Sequence, residues 1–230
     1  MNNIADNLRS VRERLEAAAR RAGRDPAGVR LVAVSKTIEP ARIQAAIAAG
    51  QRVFGENYLQ EAQPKIAALG PGLEWHLVGH LQSNKAKKAA ELFSLIHSVE
   101  SAKLARALND AAARLNKIQD VLVQVQLSKE ETKFGVAPAE TAGLLQEIAR
   151  LSQVRVLGLM TMPPFFDDPE AARPFFRALR ELRDELVRRG VTDNPLPELS
   201  MGMTGDFEAA VEEGATLIRV GTAIFGLRPE

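Results

Sequence analysis

Val29-Arg30-Leu31-Val32-Ala33-Val34-Ser35 is a short apolar run rich in branched residues. A run of that kind, without polar alternation, marks a parallel strand buried on both faces. Just upstream, Ile4, Leu8, Val11 and Leu15 fall on one stripe at helical spacing. Residues 4–22 are therefore predicted as an amphipathic helix, and Gly23 is placed to end it. Downstream the apolar run recurs. Strands are predicted at 52–55, 74–78, 95–98, 121–125, 154–159, 198–201 and 217–220. Helical patterns lie near 40–49, 57–68, 82–92, 101–116, 138–150, 169–189 and 206–213. Parallel strands need crossover helices, so this alternation argues a parallel sheet. Eight units in 230 residues favour closure into a barrel, a fold of roughly 250 residues. An open doubly wound sheet is the alternative. The expected fold is thus α/β: a single (β/α)8 TIM-type barrel with an extra N-terminal helix, residues 1–230 forming one domain.

Composition excludes several functions. Hydrophobic residues make up 46% and charged residues 26% of the chain, which is ordinary for a globular protein. Thirty Lys and Arg against 29 Asp and Glu leave a net charge of +1. No bulk electrostatic case for a nucleic acid partner follows from that balance. No apolar run approaches the roughly 18 residues of a membrane span, and Met1-Asn2-Asn3-Ile4 opens no apolar signal core. A cytoplasmic location is expected. The chain has no cysteine, which removes disulfides, thiolate nucleophiles and cysteine metal sites. His76, His80 and His97 have no metal-ligand spacing and are expected to be satisfied core or loop histidines. Tyr58 is the only tyrosine.

In a barrel, chemistry gathers at the carboxyl ends of the strands and in the loops that follow. Ser200-Met201-Gly202-Met203-Thr204-Gly205-Asp206 follows the seventh strand, and Gly221-Thr222 follows the eighth. Both combine glycines, hydroxyls and a helix start. Unpaired N–H groups and the helix dipole favour anions there, and the last two loops of such barrels frequently form a phosphate site. Thr204 and Thr222 are candidate hydroxyl donors, with Gly202 and Gly221 as candidate backbone donors. Ordinary helix capping is the alternative for either loop alone.

Lys36 shares a strand face with Val32 and Val34. If that face is the barrel interior, its amine points into the mouth, where desolvation leaves more neutral amine to attack a carbonyl. A surface lysine is the alternative. Arg219, inside the last strand, demands a partner if buried; an ion pair with a carboxylate such as Glu56 is one candidate. The proline-rich residues 162–169 are expected to form a long loop on the active face. The charged run 177–189 carries Leu179, Leu182 and Leu186 and is expected to be a helix with a solvated polar face. A lysine amine, a phosphate cup and a terminal-strand arginine together suggest a phosphorylated aldehyde.

Beyond this, a set of segments carries a resemblance. Ala33-Val34-Ser35-Lys36, Phe54-Gly55-Glu56-Asn57-Tyr58, Trp75-His76 and Gly79-His80-Leu81-Gln82-Ser83-Asn84-Lys85 are the first four. Ser200-Met201-Gly202-Met203 and Arg219-Val220-Gly221-Thr222-Ala223-Ile224-Phe225-Gly226 complete it. In this order, over nearly the whole chain, they resemble the pyridoxal phosphate homeostasis protein family, whose barrel resembles that of alanine racemase. The resemblance implies that the cofactor is pyridoxal 5′-phosphate, held as a Schiff base on Lys36. It implies Asn57 beside the ring near its 3-hydroxyl, and Arg219 facing the pyridine nitrogen. It implies a phosphate held by Thr204, Gly221 and Thr222 with the backbone of Ser200, Gly202 and Met203. Lys133 is implied to influence release. Two departures stand out: Thr204 where many members have serine, and Ile38 where many have a second lysine.

The same resemblance implies a monomeric, non-catalytic binding protein whose partners are the cofactor and pyridoxal phosphate-dependent apoenzymes. A cation beside the pyridine nitrogen disfavours its protonation and weakens the ring as an electron sink. The alternative is a pyridoxal phosphate-dependent amino-acid racemase acting with the barrel alone; a Schiff-base aldolase on a sugar phosphate is a third reading. Racemisation needs two bases on opposite faces. In the racemases resembled, the second is a tyrosine from another domain and subunit, whereas this sequence ends soon after Phe225-Gly226 and has only Tyr58.

Overall fold

A computed structural model describes residues 3–128 and 134–226. The first helix, α1 (Ile4–Arg21), precedes the first strand, β1 (Arg30–Val34). Then α2 (Pro40–Ala48), β2 (Val53–Glu56), α3 (Leu59–Leu69), β3 (Glu74–Leu77), α4 (Ala86–Leu92) and β4 (Leu95–Val99) alternate. The second half continues with α5 (Ala102–Arg114), β5 (Gln119–Gln124), α6 (Pro138–Ile148), β6 (Val154–Met160) and α7 (Arg173–Arg188). It ends with β7 (Glu198–Ser200), α8 (Phe207–Glu212), β8 (Leu217–Val220) and the single turn α9 (Thr222–Phe225). All eight strands are parallel and close in sequence order, β8 pairing with β1 through Val32↔Arg219 and Ala33↔Val220. The expected eightfold barrel with an extra first helix is what the chain forms.

Two apolar clusters follow from strand alternation. Outward-facing side chains such as Leu31, Phe54, Leu77, Ile96 and Val121 pack against the helices. Inward-facing Val32, Val78, Leu95, Leu122, Met160 and Leu217 form a smaller cluster inside the barrel. Val34 packs against that inner cluster. The face that Lys36 continues is therefore the interior one.

The extra helix supports the site end. Gly23 ends α1 as expected: at φ 67 its N–H bonds the carbonyl of Arg20 while that of Arg24 bonds Ala19. These are the paired contacts of a Schellman cap, which needs a left-handed residue. Leu8, Val11 and Leu15 are buried. Asn7 Nδ2 donates to the Ile224 carbonyl at 2.8 Å, and Arg14 pairs with Glu208 while lying 4.7 Å over the Phe207 ring. Both α8 and α9 are thereby tied to α1.

The structure differs from expectation chiefly at β5 and in the helix predicted at 169–189. β5 begins at Gln119 rather than Val121, because its polar start is satisfied sideways: Gln119 Nε2 donates to the Ser94 carbonyl, and Asp120 takes two bonds from Arg155. The helix predicted at 169–189 is a 3-10 turn followed by α7. Its charges are only partly a solvated face, since Arg173 holds Glu212, and Arg177 and Arg180 converge on Glu213 of the α8 end. Of the loop expected at 162–169, residues 162–168 carry no helix or strand and Pro169 opens the 3-10 turn, with Phe165 85% exposed.

Candidate functional site

A cavity of about 730 Å³ opens at the carboxyl end of the barrel, within the size range of small-molecule sites. Of the residues expected to act, Lys36, Asn57, Met203, Thr204, Arg219, Gly221 and Thr222 line it. Ser200 and Gly202 do not. Strand alternation turns the Ser200 side chain into the barrel one layer below the mouth, and Gly202 is buried behind the loop. Lys133 falls outside the described residues. Phe134, Met162, Phe165 and Tyr58 form an apolar rim, Tyr58 being 58% exposed.

The loop after β7 is built to approach α8 closely. Gly202 sits at φ 89, and a Cβ there would come within 2.6 Å of the Ala210 Cβ and 2.9 Å of the Phe207 Cα. Asp206 folds back and accepts the Met203 N–H at 2.6 Å. The Met203 N–H, expected as a backbone donor, is thus taken by Asp206 in this arrangement. Thr204 Oγ1 accepts the N–H of Ala223 at 3.3 Å, linking the loop to α9. That is the capping role, and its own hydroxyl hydrogen is left to donate. Among the described residues, the N–H groups of Thr204, Gly205, Gly221 and Thr222 meet no protein acceptor. Four backbone donors beside a hydroxyl on the cavity wall suit a phosphate group.

Arg219 is 3% exposed. Burial pulls its pKa down to about 10, which still leaves it cationic at neutral pH; the Asp206 carboxylate opposes that shift. The expected pairing with Glu56 is not formed. Arg219 instead donates to Ser200 Oγ at 2.5 Å and to the Thr161 carbonyl at 2.9 Å. Glu56 lies on the other side of β1, taking bonds from Lys65 Nζ at 2.9 Å and Ser35 Oγ at 2.6 Å. A buried guanidinium has five N–H donors, so Arg219 keeps donors for an acceptor in the cavity it lines.

Below Arg219 runs a polar chain that sequence inspection missed. Ser200 Oγ lies 2.8 Å from His97 Nδ1, His97 Nε2 lies 3.0 Å from His76 Nδ1, and His76 Nε2 lies 2.7 Å from Glu74 Oε1. Its proton order follows from its ends. Arginine only donates and a carboxylate only accepts, so Ser200 must pass its hydrogen to His97, His97 to His76, and His76 to Glu74. Both rings are then neutral with hydrogen on Nε2, a tautomer assigned from the network. Burial, the first cause in each case, agrees: it holds His76 below the usual histidine value, and His97 well below. One signal was available, since residues 74, 76, 97, 200 and 219 all share the inward parity of their strands.

These neutral rings make stability depend on acid. The unfolded chain takes up protons near the ordinary histidine value of 6.5, while the folded chain resists them. Stability is therefore complete above that value and falls as pH drops below it toward the folded value, by at most about 1.4 kcal/mol per pH unit for each histidine. Replacing His97 with glutamine is expected to flatten the loss of urea stability between about pH 7 and pH 5. An unchanged slope would mean that His97 titrates alike in both states.

Comparison with known proteins gives a consistent result. The family model for the alanine racemase N-terminal domain matches residues 5–229. A pyridoxal phosphate homeostasis protein of Aquifex aeolicus is 46% identical over 227 residues, covering 98% of this chain and 99% of that protein. One from Escherichia coli is 42% identical over 232 residues, covering 99% and 98%. A solved structure of PipY from Synechococcus elongatus, with pyridoxal phosphate bound, superposes with a TM-score of 0.86 at 42% identity, covering 97% of this chain and all of that one. Among the described residues no helix is long and apolar enough to cross a membrane.

Proposed function

Because the chain belongs to the alanine racemase N-terminal domain family, and within it to the pyridoxal phosphate homeostasis proteins, we propose that it binds pyridoxal 5′-phosphate at the barrel mouth. The finer reading is a Schiff base on Lys36 and a role in holding and releasing the cofactor. The observation that carries it is the convergence of Lys36, a donor-lined anion cup and a buried cation on a single cavity. When bound, the cofactor supplies an aldehyde, to which a primary amine adds with loss of the carbonyl oxygen as water.

This chain's residues then have distinct tasks. The N–H groups of Thr204, Gly205, Gly221 and Thr222, with the Thr204 hydroxyl, hold the phosphate. Asp206 fixes the loop through Met203. Gly202 supports the cup from behind by allowing α8 to come close, and Ser200 acts through Arg219 rather than on the phosphate. Asn57, just after the end of β2, lines the wall of the mouth and would lie beside the ring. Arg219 would present a fixed cation to the pyridine nitrogen, and the neutral chain beneath keeps its side chain in place.

That fixed cation makes the ring a weaker electron sink, which favours binding over turnover while leaving racemisation possible. The homeostasis names of the relatives point the same way. The chain acts as a monomer, and its partners beyond the cofactor are apoenzymes that receive it. The test is α-proton exchange. Cofactor-loaded protein is expected to exchange the α-hydrogen of alanine in deuterated water no faster than free cofactor does. Faster exchange would establish the racemase alternative.

A further inference from the structure

Lys36 lies between two residues that are both held from the neighbouring β2–α3 unit. On one side, the Ser35 carbonyl accepts from Lys65 Nζ at 2.6 Å, and the Ser35 hydroxyl donates to Glu56 Oε1 at 2.6 Å. On the other side, the Thr37 N–H donates to Glu61 Oε2 at 2.8 Å. Lys65 Nζ joins the two carboxylates, 2.9 Å from Glu56 and 3.7 Å from Glu61. The placement follows from sequence spacing. Glu56 ends β2, whose Gly55 pairs with Val34, so its side chain reaches Ser35. Glu61 and Lys65 are four apart on α3 and share one face.

The cluster holds an unfavourable backbone. Thr37 has φ 63, a left-handed conformation that β-branched residues rarely adopt. It lets the chain turn sharply after Lys36, with the Ile38 N–H closing on the Ser35 carbonyl at 3.0 Å. Stability alone is a poor reason for the cluster, because an apolar pair commonly replaces a buried ion pair at no loss. Lys65 and Glu56 are both buried, and Glu56 Oε2 has no hydrogen-bond partner among the described residues. Burial, the largest cause, pushes the Glu56 carboxyl up against the pull of Ser35 and Lys65.

We propose that Glu61, Lys65 and Glu56 are positioning residues that fix the backbone on both sides of Lys36 and so aim its amine at the cofactor aldehyde. This rests on the reading that Lys36 captures the cofactor. The lysine side chain is long and flexible, so the fraction of time its nitrogen spends in attacking geometry depends on where its Cα is anchored. None of the three residues lines the cavity, so they govern the rate of capture rather than the strength of the phosphate cup.

Two ligands separate these effects. Pyridoxal 5′-phosphate reads capture, through the visible absorbance that develops in a stopped-flow experiment. Pyridoxamine 5′-phosphate has the same ring and phosphate but no aldehyde, and calorimetry reads the cup alone. Glu61→Ala is expected to slow capture about tenfold while changing pyridoxamine 5′-phosphate affinity by less than about twofold. Glu61→Gln keeps an oxygen to accept the Thr37 N–H and is expected to restore the rate. Lys65→Met alone leaves a buried carboxylate unpaired and threatens folding; the double variant Glu56→Gln with Lys65→Met avoids this and is also expected to slow capture. Wild-type rates in Glu61→Ala and in the double variant, or a parallel loss of pyridoxamine 5′-phosphate affinity, overturn the proposal. A wild-type protein that binds pyridoxamine 5′-phosphate yet develops no visible band with the aldehyde removes the Lys36 reading itself, and the proposal with it.

Discussion

Replacing Lys36 with alanine is expected to abolish covalent capture of pyridoxal 5′-phosphate while leaving the protein folded. Lys36 is only partly buried and lies two residues beyond Val34, the last residue of β1. Removing its side chain breaks no strand pairing and exposes no packed core. The cup, Arg219 and Asn57 remain, so the cofactor can still enter through its phosphate. What disappears is the amine on the interior face, continuing the line of Val32 and Val34. Borohydride reduction followed by intact-mass measurement checks this. Wild-type protein should gain the mass of one reduced cofactor, and Lys36→Ala should gain none. A single adduct of undiminished yield in Lys36→Ala would place the reacting amine on another lysine.

The second large effect is expected at Gly202. An alanine there meets the Ala210 Cβ at 2.6 Å and the Phe207 Cα at 2.9 Å, with the backbone at φ 89. The side chains cannot both stay, so the start of α8 must shift. Overpacking of this kind costs about 1–3 kcal/mol, and a left-handed non-glycine residue adds roughly 1–2 kcal/mol. The loop from Met203 to Asp206 rides on that helix start. Gly202→Ala should therefore lower the urea midpoint and also shrink the preference for pyridoxal 5′-phosphate over pyridoxal by about tenfold, through displaced phosphate donors. Wild-type stability together with an unchanged preference would show that the loop does not depend on this close approach.

Why these residues were legible, and others not, is a matter of which interactions are local. The barrel could be read because Val29 to Ser35 and its seven successors are short branched-apolar runs separated by amphipathic helices, a pattern set by backbone geometry. Lys36, Arg219, Thr204, Gly221 and Thr222 meet on one cavity because strand ends are where a barrel places polar groups. The early start of β5 could not, since Gln119 and Asp120 look like loop residues until Ser94 and Arg155 are beside them. The same is true of the chain from Arg219 to Glu74. Its members come from β8, β7, β4 and β3 and meet only across the barrel interior, so each histidine by itself reads as an ordinary core residue. The family resemblance implies the backbone of Ser200 and Met203 in the cup; the structure gives the Ser200 hydroxyl to Arg219 and the Met203 N–H to Asp206. Side-chain competition for a loop amide leaves no periodic trace.

The absorption spectrum of the purified wild-type protein, recorded before and after one equivalent of pyridoxal 5′-phosphate at neutral pH, tests the central claim most directly. The account predicts a new visible band that saturates at one equivalent and is missing from Lys36→Ala. A spectrum that remains that of the free aldehyde at every concentration would contradict it.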